Sequence, residues 1–293
     1  MSDPHADAAR AANLLEPRAA TEHLRLSARR SKAFRIKVWL TWMVLLCLLG
    51  ALFHALHLDG SSVREKLPFL LGLRLAPDGF VQGAALTLFV TAFSMVCALL
   101  VALLTALGRV SRNPIAFAVA TFYASLFRGT PLLVQVLIIY LALPQVGIVL
   151  GALTSGVIAL SLNYGAYLAE TIRSGLLAVP VSQREAGWAL GLPRWVIAWK
   201  VIAPQALRII IPPAGALFVS MLKDSSLVSI LGLWELNFLA QSYARATYRY
   251  MEMLLAAALI YWLLSIVFEL IQYRLEARFG QGTAVPGGIG RPV

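Results

Sequence analysis

Long charge-free apolar runs, separated by short polar breaks, occupy most of the chain. Val38 to Leu58, Val81 to Leu107 and a double-length stretch from Gly129 to Ala169 contain no Asp, Glu, Lys or Arg. About 20 apolar residues span a bilayer as a helix, and none of these runs alternates as a barrel strand would. They predict membrane-spanning helices. Val38 to Leu58 crosses first, a loop follows from Asp59 to Asp78, and Val81 to Leu107 returns. Pro114 to Phe127 predicts a helix interrupted at Arg128 to Pro131, with Leu132 to Leu143 completing the passage and Pro144 to Gly147 turning. Ile148 to about Ile172 comes back, and residues 173 to 208 stay outside the bilayer on that side. From Ile209 the next span contains Pro212, Pro213 and the pair Lys223-Asp224, which predicts a kink or break near mid-depth. A loop around Glu235 to Arg249 precedes the last crossing, Met253 to Tyr273.

Composition agrees with six crossings. The 293 residues are 59% hydrophobic and 13% charged, with a mean hydropathy of +0.77, against about a quarter charged in soluble domains. The expected fold class is an all-α integral membrane protein. Residues 1–35 form a polar tail, 36–58 a first helix, 59–78 an external loop, 79–280 the main membrane domain with a cytoplasmic segment at 180–207, and 281–293 a second tail.

A net charge of +11 raises the question of nucleic acid, but position decides it. Arg10, Arg18, Arg25, Arg29, Arg30, Lys32, Arg35 and Lys37 all precede the first span, so the basic excess predicts cytoplasmic termini and no nucleic-acid partner. Arg29-Arg30 resembles a twin-arginine signal, yet the run behind it lacks a small-residue cleavage site and is long enough to span. Cys47 and Cys97 fall within spans and predict neither a disulfide nor a metal site.

The polar break "SQREAGWALGLPRW", residues 182–195, has its own punctuation. Ser182-Gln183-Arg184-Glu185 has the pattern of a capping box. Gly191 offers a left-handed terminus and Pro193 bars continuation, so a helix of about two turns is expected, with a second short helix from Pro193 to Pro204. Such a short helix is marginal alone and must be held against something. The small residues Ala186, Gly187, Ala189 and Gly191 would let a partner approach the backbone. Equally, Trp188, Trp195 and Trp199 would anchor an amphipathic helix lying on the headgroups.

"EAGWALG" followed by "VIAPQALR" resembles the EAA motif of bacterial ABC import permeases, with Gly187 in place of the second Ala and Ala203 in place of Leu. "FRGTPLLVQ" (127–135), "AYLAETIRSG" (166–175), "PQALR" (204–208) and "KDSSL" (223–227) resemble, in order and spacing, the polar amino acid branch of that family, the histidine/glutamine/arginine/opine type. The resemblance covers about Gly79 to Arg278 and implies a five-helix type I importer core carrying one extra amino-terminal helix. It implies a bacterial inner-membrane subunit that imports polar amino acids and is not itself an enzyme. It further implies an ATPase pair that binds ATP and magnesium, an extracytoplasmic binding protein, and a second copy or homologue of the permease. Ser182, Glu185, Ala186, Gly187, Ala189, Leu190, Gly191 and Pro204 would then belong to the coupling segment that seats on the ATPase. No G-x-x-x-x-G-K-[ST] occurs, since none of the five lysines follows a glycine, so ATP has no phosphate cradle in this chain.

Ionisable and polar groups at membrane depth are candidates for function. Asn163, Tyr167 and Glu170 recur at helical spacing and would place an amide, a phenol and a carboxylate along a substrate path. Glu170 and Arg173 are equally spaced for an ion pair within one helix. Lys223 and Asp224 point apart on a regular helix and need partners elsewhere, as gate, interface or substrate contact. Gln135 suits a pore lining or an interhelical hydrogen bond. Arg128, beside Gly129 and Pro131, would face a cavity where the span breaks, or snorkel to headgroups. Two rival functions are weaker. An intramembrane serine protease wants a histidine base, and His5, His23, His54 and His57 all lie at or before the first span. A secondary transporter predicts paired broken helices in two repeats, and no convincing repeat occurs.

Overall fold

The computed structural model describes residues 34–51, 53–55, 60–75, 79 and 81–279. The two tails and most of the basic residues ahead of the first span lie outside them. The chain divides into two units, residues 1–59 and 60–293. The described part of the first is one apolar helix, α1 (Phe34–Ala55), long enough to span.

The second unit holds the remaining helices: α2 (Gly60–Leu70), α3 (Gly83–Val110), α4 (Pro114–Gly129), α5 (Leu132–Leu137), α6 (Ala152–Ala178), α7 (Val181–Ala189), α8 (Arg194–Val196), α9 (Ala203–Asp224), α10 (Leu236–Thr247) and α11 (Tyr250–Phe279). Among the described residues five helices, α1 included, have the length and apolarity to cross a bilayer, and α4 with the segment Leu132–Val146, bent by 104°, makes a sixth if taken as one broken span. That agrees with the six crossings expected. Asn113 caps α4 through its side-chain oxygen, accepting from the amides of Ile115 and Ala116, and Pro114 occupies the first turn, where its missing N–H costs nothing.

The core lies where α3 and α6 pack along each other. Ala98, Ala102 and Ala106 recur every fourth residue on α3 and are fully buried. In a bilayer, where lipid is as apolar as leucine, small side chains bring helices together by close van der Waals contact. At Gly165 of α6 a Cβ would fall 3.1 Å from Val101 and 2.9 Å from the Tyr123 hydroxyl.

Several expectations need correction. The segments 59–78 and 235–249 are not plain loops, because they contain α2 and α10, which pack together with α11. Their apolar residues recur at helical spacing: Val63 and Leu70 on α2, and Leu236, Leu239, Ala240 and Ala244 on α10. The fourth crossing continues to Ala178, so Arg173 sits inside α6 rather than past its end. The span with Pro212 and Pro213 does not break there. It remains α-helical from Ala203 to Asp224 and tightens to a 3-10 turn only at Ser225–Leu231. The short helix expected to stop at Pro204 runs on into α9 through a π turn at Ile197–Ile202, a wide turn just ahead of a residue that has no N–H to complete an α ladder.

Candidate functional site

The bend between α4 and α5 begins with a missing donor. In an unbroken helix the carbonyl of Phe127 would accept from residue 131, but Pro131 has no N–H. Side-chain amides replace it. Gln135 Nε2 donates to Phe127 O (2.9 Å) and also reaches Thr130 O (3.1 Å) and Thr130 Oγ1 (2.8 Å). Asn163 Nδ2 donates to Phe127 O at 3.0 Å and to Gln135 Oε1 at 3.2 Å. Gln135 is buried, and its amide ties the elbow to α4 and α6.

Beside the elbow a cavity of about 490 Å³ opens between α4, α6 and α9, lined by Arg128, Gly129, Thr130, Pro131, Asn163, Tyr164, Tyr167, Ser220 and Asp224. Tyr164 OH donates to Asp224 Oδ2 at 2.6 Å, which answers the search for a partner to Asp224. Lys223 is exposed and takes part in no ion pair among the described residues. The Arg128 guanidinium carbon lies 5.4 Å from the centre of the Tyr167 ring, close enough for a cation–π contact. A second cavity of about 580 Å³ shares Arg128, Tyr167, Leu217 and Ser220 and extends the cleft to Glu170, Ser174 and Gly175.

Glu170 is held by three arginines. Arg173 donates to Oε1 through Nη2 (2.6 Å) and Nε (3.2 Å), while Oε2 accepts from Arg109 Nη1 and from Arg128 Nη1 at 3.3 Å. The i,i+3 pair with Arg173 is therefore present and is one edge of a larger cluster. It ties the ends of α3, α4 and α6 together.

The 182–195 segment also takes shape. Gly191 adopts φ +68, its N–H bonds Trp188 O (2.9 Å), and Leu192 N–H bonds Gly187 O (3.0 Å), so α7 ends in a Schellman motif as its sequence predicts. Its start differs. The helix begins at Val181 with Pro180 as N-cap and no side-chain cap hydrogen bond, so Ser182 and Glu185 do not form the capping box. Gly187 is the one buried residue of α7, and a Cβ there would lie 2.8 Å from Ile197 Cγ1. Its small size serves packing inside the chain. Ser182, Glu185, Ala186 and Ala189 are exposed and fall on one helical face, with exposed Leu190 at its end. Pro204 is exposed in the first turn of α9.

Three residues escaped the sequence reading. Arg109 stands at the basic end of the second span and Tyr164 within the fourth, and neither reveals a partner without the fold. Glu235 looked like a loop boundary. It is 1% exposed and caps α10, accepting from the amides of Asn237 (2.9 Å) and Phe238 (2.7 Å) and from Tyr261 OH (2.8 Å). Burial pushes its carboxyl up to about 7, although these donors pull the other way.

A helical multi-span core with a polar cleft at a broken helix and a short exposed helix beyond its spans defines a membrane permease. Residues 98–281 match the family of binding-protein-dependent transport system inner membrane components, and the chain belongs to that family. It is 39% identical over 204 residues to the L-cystine transport system permease protein TcyB of Bacillus subtilis (strain 168), covering 69% of this chain and 87% of that protein. It is 34% identical over 225 residues to the glutamine transport system permease protein GlnP of Escherichia coli (strain K12), covering 76% and 98%. Among solved structures, an amino acid ABC transporter crystallised with histidines matches at 37% identity with a TM-score of 0.67, covering 74% of this chain and 97% of that one.

Proposed function

We propose that this chain is the membrane-spanning subunit of an ATP-driven importer of polar amino acids, with α7 seated on a separate ATPase. The observation that carries the reading is the exposed small-residue face of α7, offered by residues that match the family's coupling motif and held from behind by Gly187 against Ile197. Nucleotide-driven closure of an ATPase pair, which binds ATP and magnesium, would move α7 and, through the helical run α8–α9, the cleft. A second permease copy or homologue completes the path, and an extracytoplasmic binding protein delivers substrate. The chain lies in a bacterial inner membrane with both termini cytoplasmic.

The cleft suits a zwitterion. Asp224 and the Tyr167 ring would meet an ammonium group, and the Arg128 guanidinium a carboxylate. The test is uptake of a labelled amino-acid panel into proteoliposomes holding the full complex, compared with Ala189→Arg. The substitution changes an exposed side chain, so insertion and thermal stability should hold while ATPase association and uptake are lost. Uptake that continues without the ATPase, or an Ala189→Arg complex that transports normally, overturns the reading.

A further inference from the structure

A separate cavity of about 590 Å³ lies behind α7, at the ends of α3 and α6, and Arg109, Arg173, Arg184 and Arg194 all line it. No carboxylate is among its lining residues. Arg109 and Arg173 share Glu170 with Arg128, so three guanidinium groups divide one carboxylate. Arg109 Nε is buried without a hydrogen-bond partner. Arg184 donates to the Leu176 carbonyl at 3.2 Å, and neither it nor Arg194 takes part in an ion pair among the described residues. The site carries a surplus of fork-shaped donors of the kind that recognise phosphate.

The rest of the wall is apolar, with Leu177 57% and Trp188 55% exposed at its rim. Arg109 lies in the last turn of α3 and Arg173 near the end of α6, which sets the cavity at headgroup depth. A soluble anion would satisfy the arginines and leave the apolar rim in water. A phospholipid satisfies both, its phosphodiester on the guanidinium groups and its glycerol and upper acyl carbons on Leu177 and Trp188.

We propose that this cavity binds the headgroup of an anionic phospholipid and that the lipid braces α7 from behind. Arg184 and Trp188 stand one turn apart on the cavity side of α7, whereas Ser182, Glu185, Ala186 and Ala189 form a different face. The lipid and the proposed ATPase contact therefore occupy opposite sides of one helix. Assignment to the inner leaflet rests on the function proposed above; the lipid contact does not.

The test is native mass spectrometry of the detergent-purified full chain titrated with phosphatidylglycerol, phosphatidylcholine or inorganic phosphate. Wild type should retain phosphatidylglycerol in preference to phosphatidylcholine, and millimolar phosphate should not displace it. Each basic side chain at an anionic surface is worth roughly fivefold, so Arg184→Gln with Arg194→Gln should weaken retention about 25-fold. Arg184→Lys with Arg194→Lys, which keeps the charge and loses the fork, should fall between the wild type and the Gln pair and so exclude misfolding as the cause. Equal retention by the wild type and the Gln pair overturns the site, and displacement by phosphate alone makes it a soluble-anion site. If the lipid binds as expected but no ATPase associates, the importer reading fails and the lipid site stands.

Discussion

Where α7 packs on the π turn behind it, Gly187 meets Ile197 at close range. A Cβ at position 187 would meet Ile197 Cγ1 at 2.8 Å and Cδ1 at 2.9 Å, both well inside van der Waals separation, with Cγ2 at 3.4 Å. Ile197 is 4% exposed and cannot swing into solvent, so Gly187→Ala must push the two segments apart. The expected cost is about 1–3 kcal/mol of overpacking, reduced by somewhat under 1 kcal/mol from alanine's better helix propensity. Ile197→Ala alone removes all three contacting atoms and should cost about 2–5 kcal/mol through the cavity it leaves. In the double variant the new methyl enters that cavity, so the two costs should fall short of additivity by about 1–2 kcal/mol. Thermal unfolding of the purified chain in detergent gives the cycle, and uptake by the reconstituted complex gives its functional counterpart, with the double variant above the worse single. Additivity within about 0.5 kcal/mol refutes the claim that this contact positions α7.

Glu170→Gln leaves three guanidinium groups without their carboxylate. Because their side chains are 16 to 40% exposed, the loss should be moderate, about 1–2 kcal/mol, and appear as a Tm fall of roughly 2–8 °C that Glu170→Asp partly restores; an unchanged Tm would dismiss the cluster as a strut. For Glu235, below pH 4.5 both folded and unfolded carboxyls are protonated, and between 4.5 and about 7 only the folded one keeps its proton. Stability should therefore fall by about 3 kcal/mol as pH rises through that window and level off above it, while Glu235→Gln should be flat. Unfolding in detergent from pH 4 to 8 decides between them, and parallel profiles would sink the assignment.

Spans were legible because the bilayer imposes a length and forbids charge, two properties that a sequence carries openly. The elbow at Arg128–Pro131 was legible for the same local reason, since Pro131 removes a donor wherever the chain goes. Helices α2 and α10 read as loops because each is short and charged: Arg64, Glu65 and Lys66 sit in the middle of α2, and Glu235 and Arg245 lie at the ends of α10, so neither stretch offers a charge-free run. Two start signals competed at α7: Ser182 and Glu185 fit a capping box, but Pro180 fixes its own φ and starts the helix two residues earlier. The direction faced by Gly187 depends on the register of Ile197, and the partners of Glu170 and Asp224 lie 61 and 60 residues away in Arg109 and Tyr164. Such pairings exist only after packing, so helical spacing could place Asn163, Tyr167 and Glu170 on one face but could not show that the Asn163 amide also ties the elbow.

The elbow bears on how well the membrane stays sealed. Opened carbonyls at depth ordinarily recruit water, and a file of water molecules conducts protons. At this bend the Phe127 and Thr130 carbonyls are met by side-chain amides that carry no ionisable proton. Two of the acceptors that the break exposes are thus satisfied within the protein and recruit no water of their own.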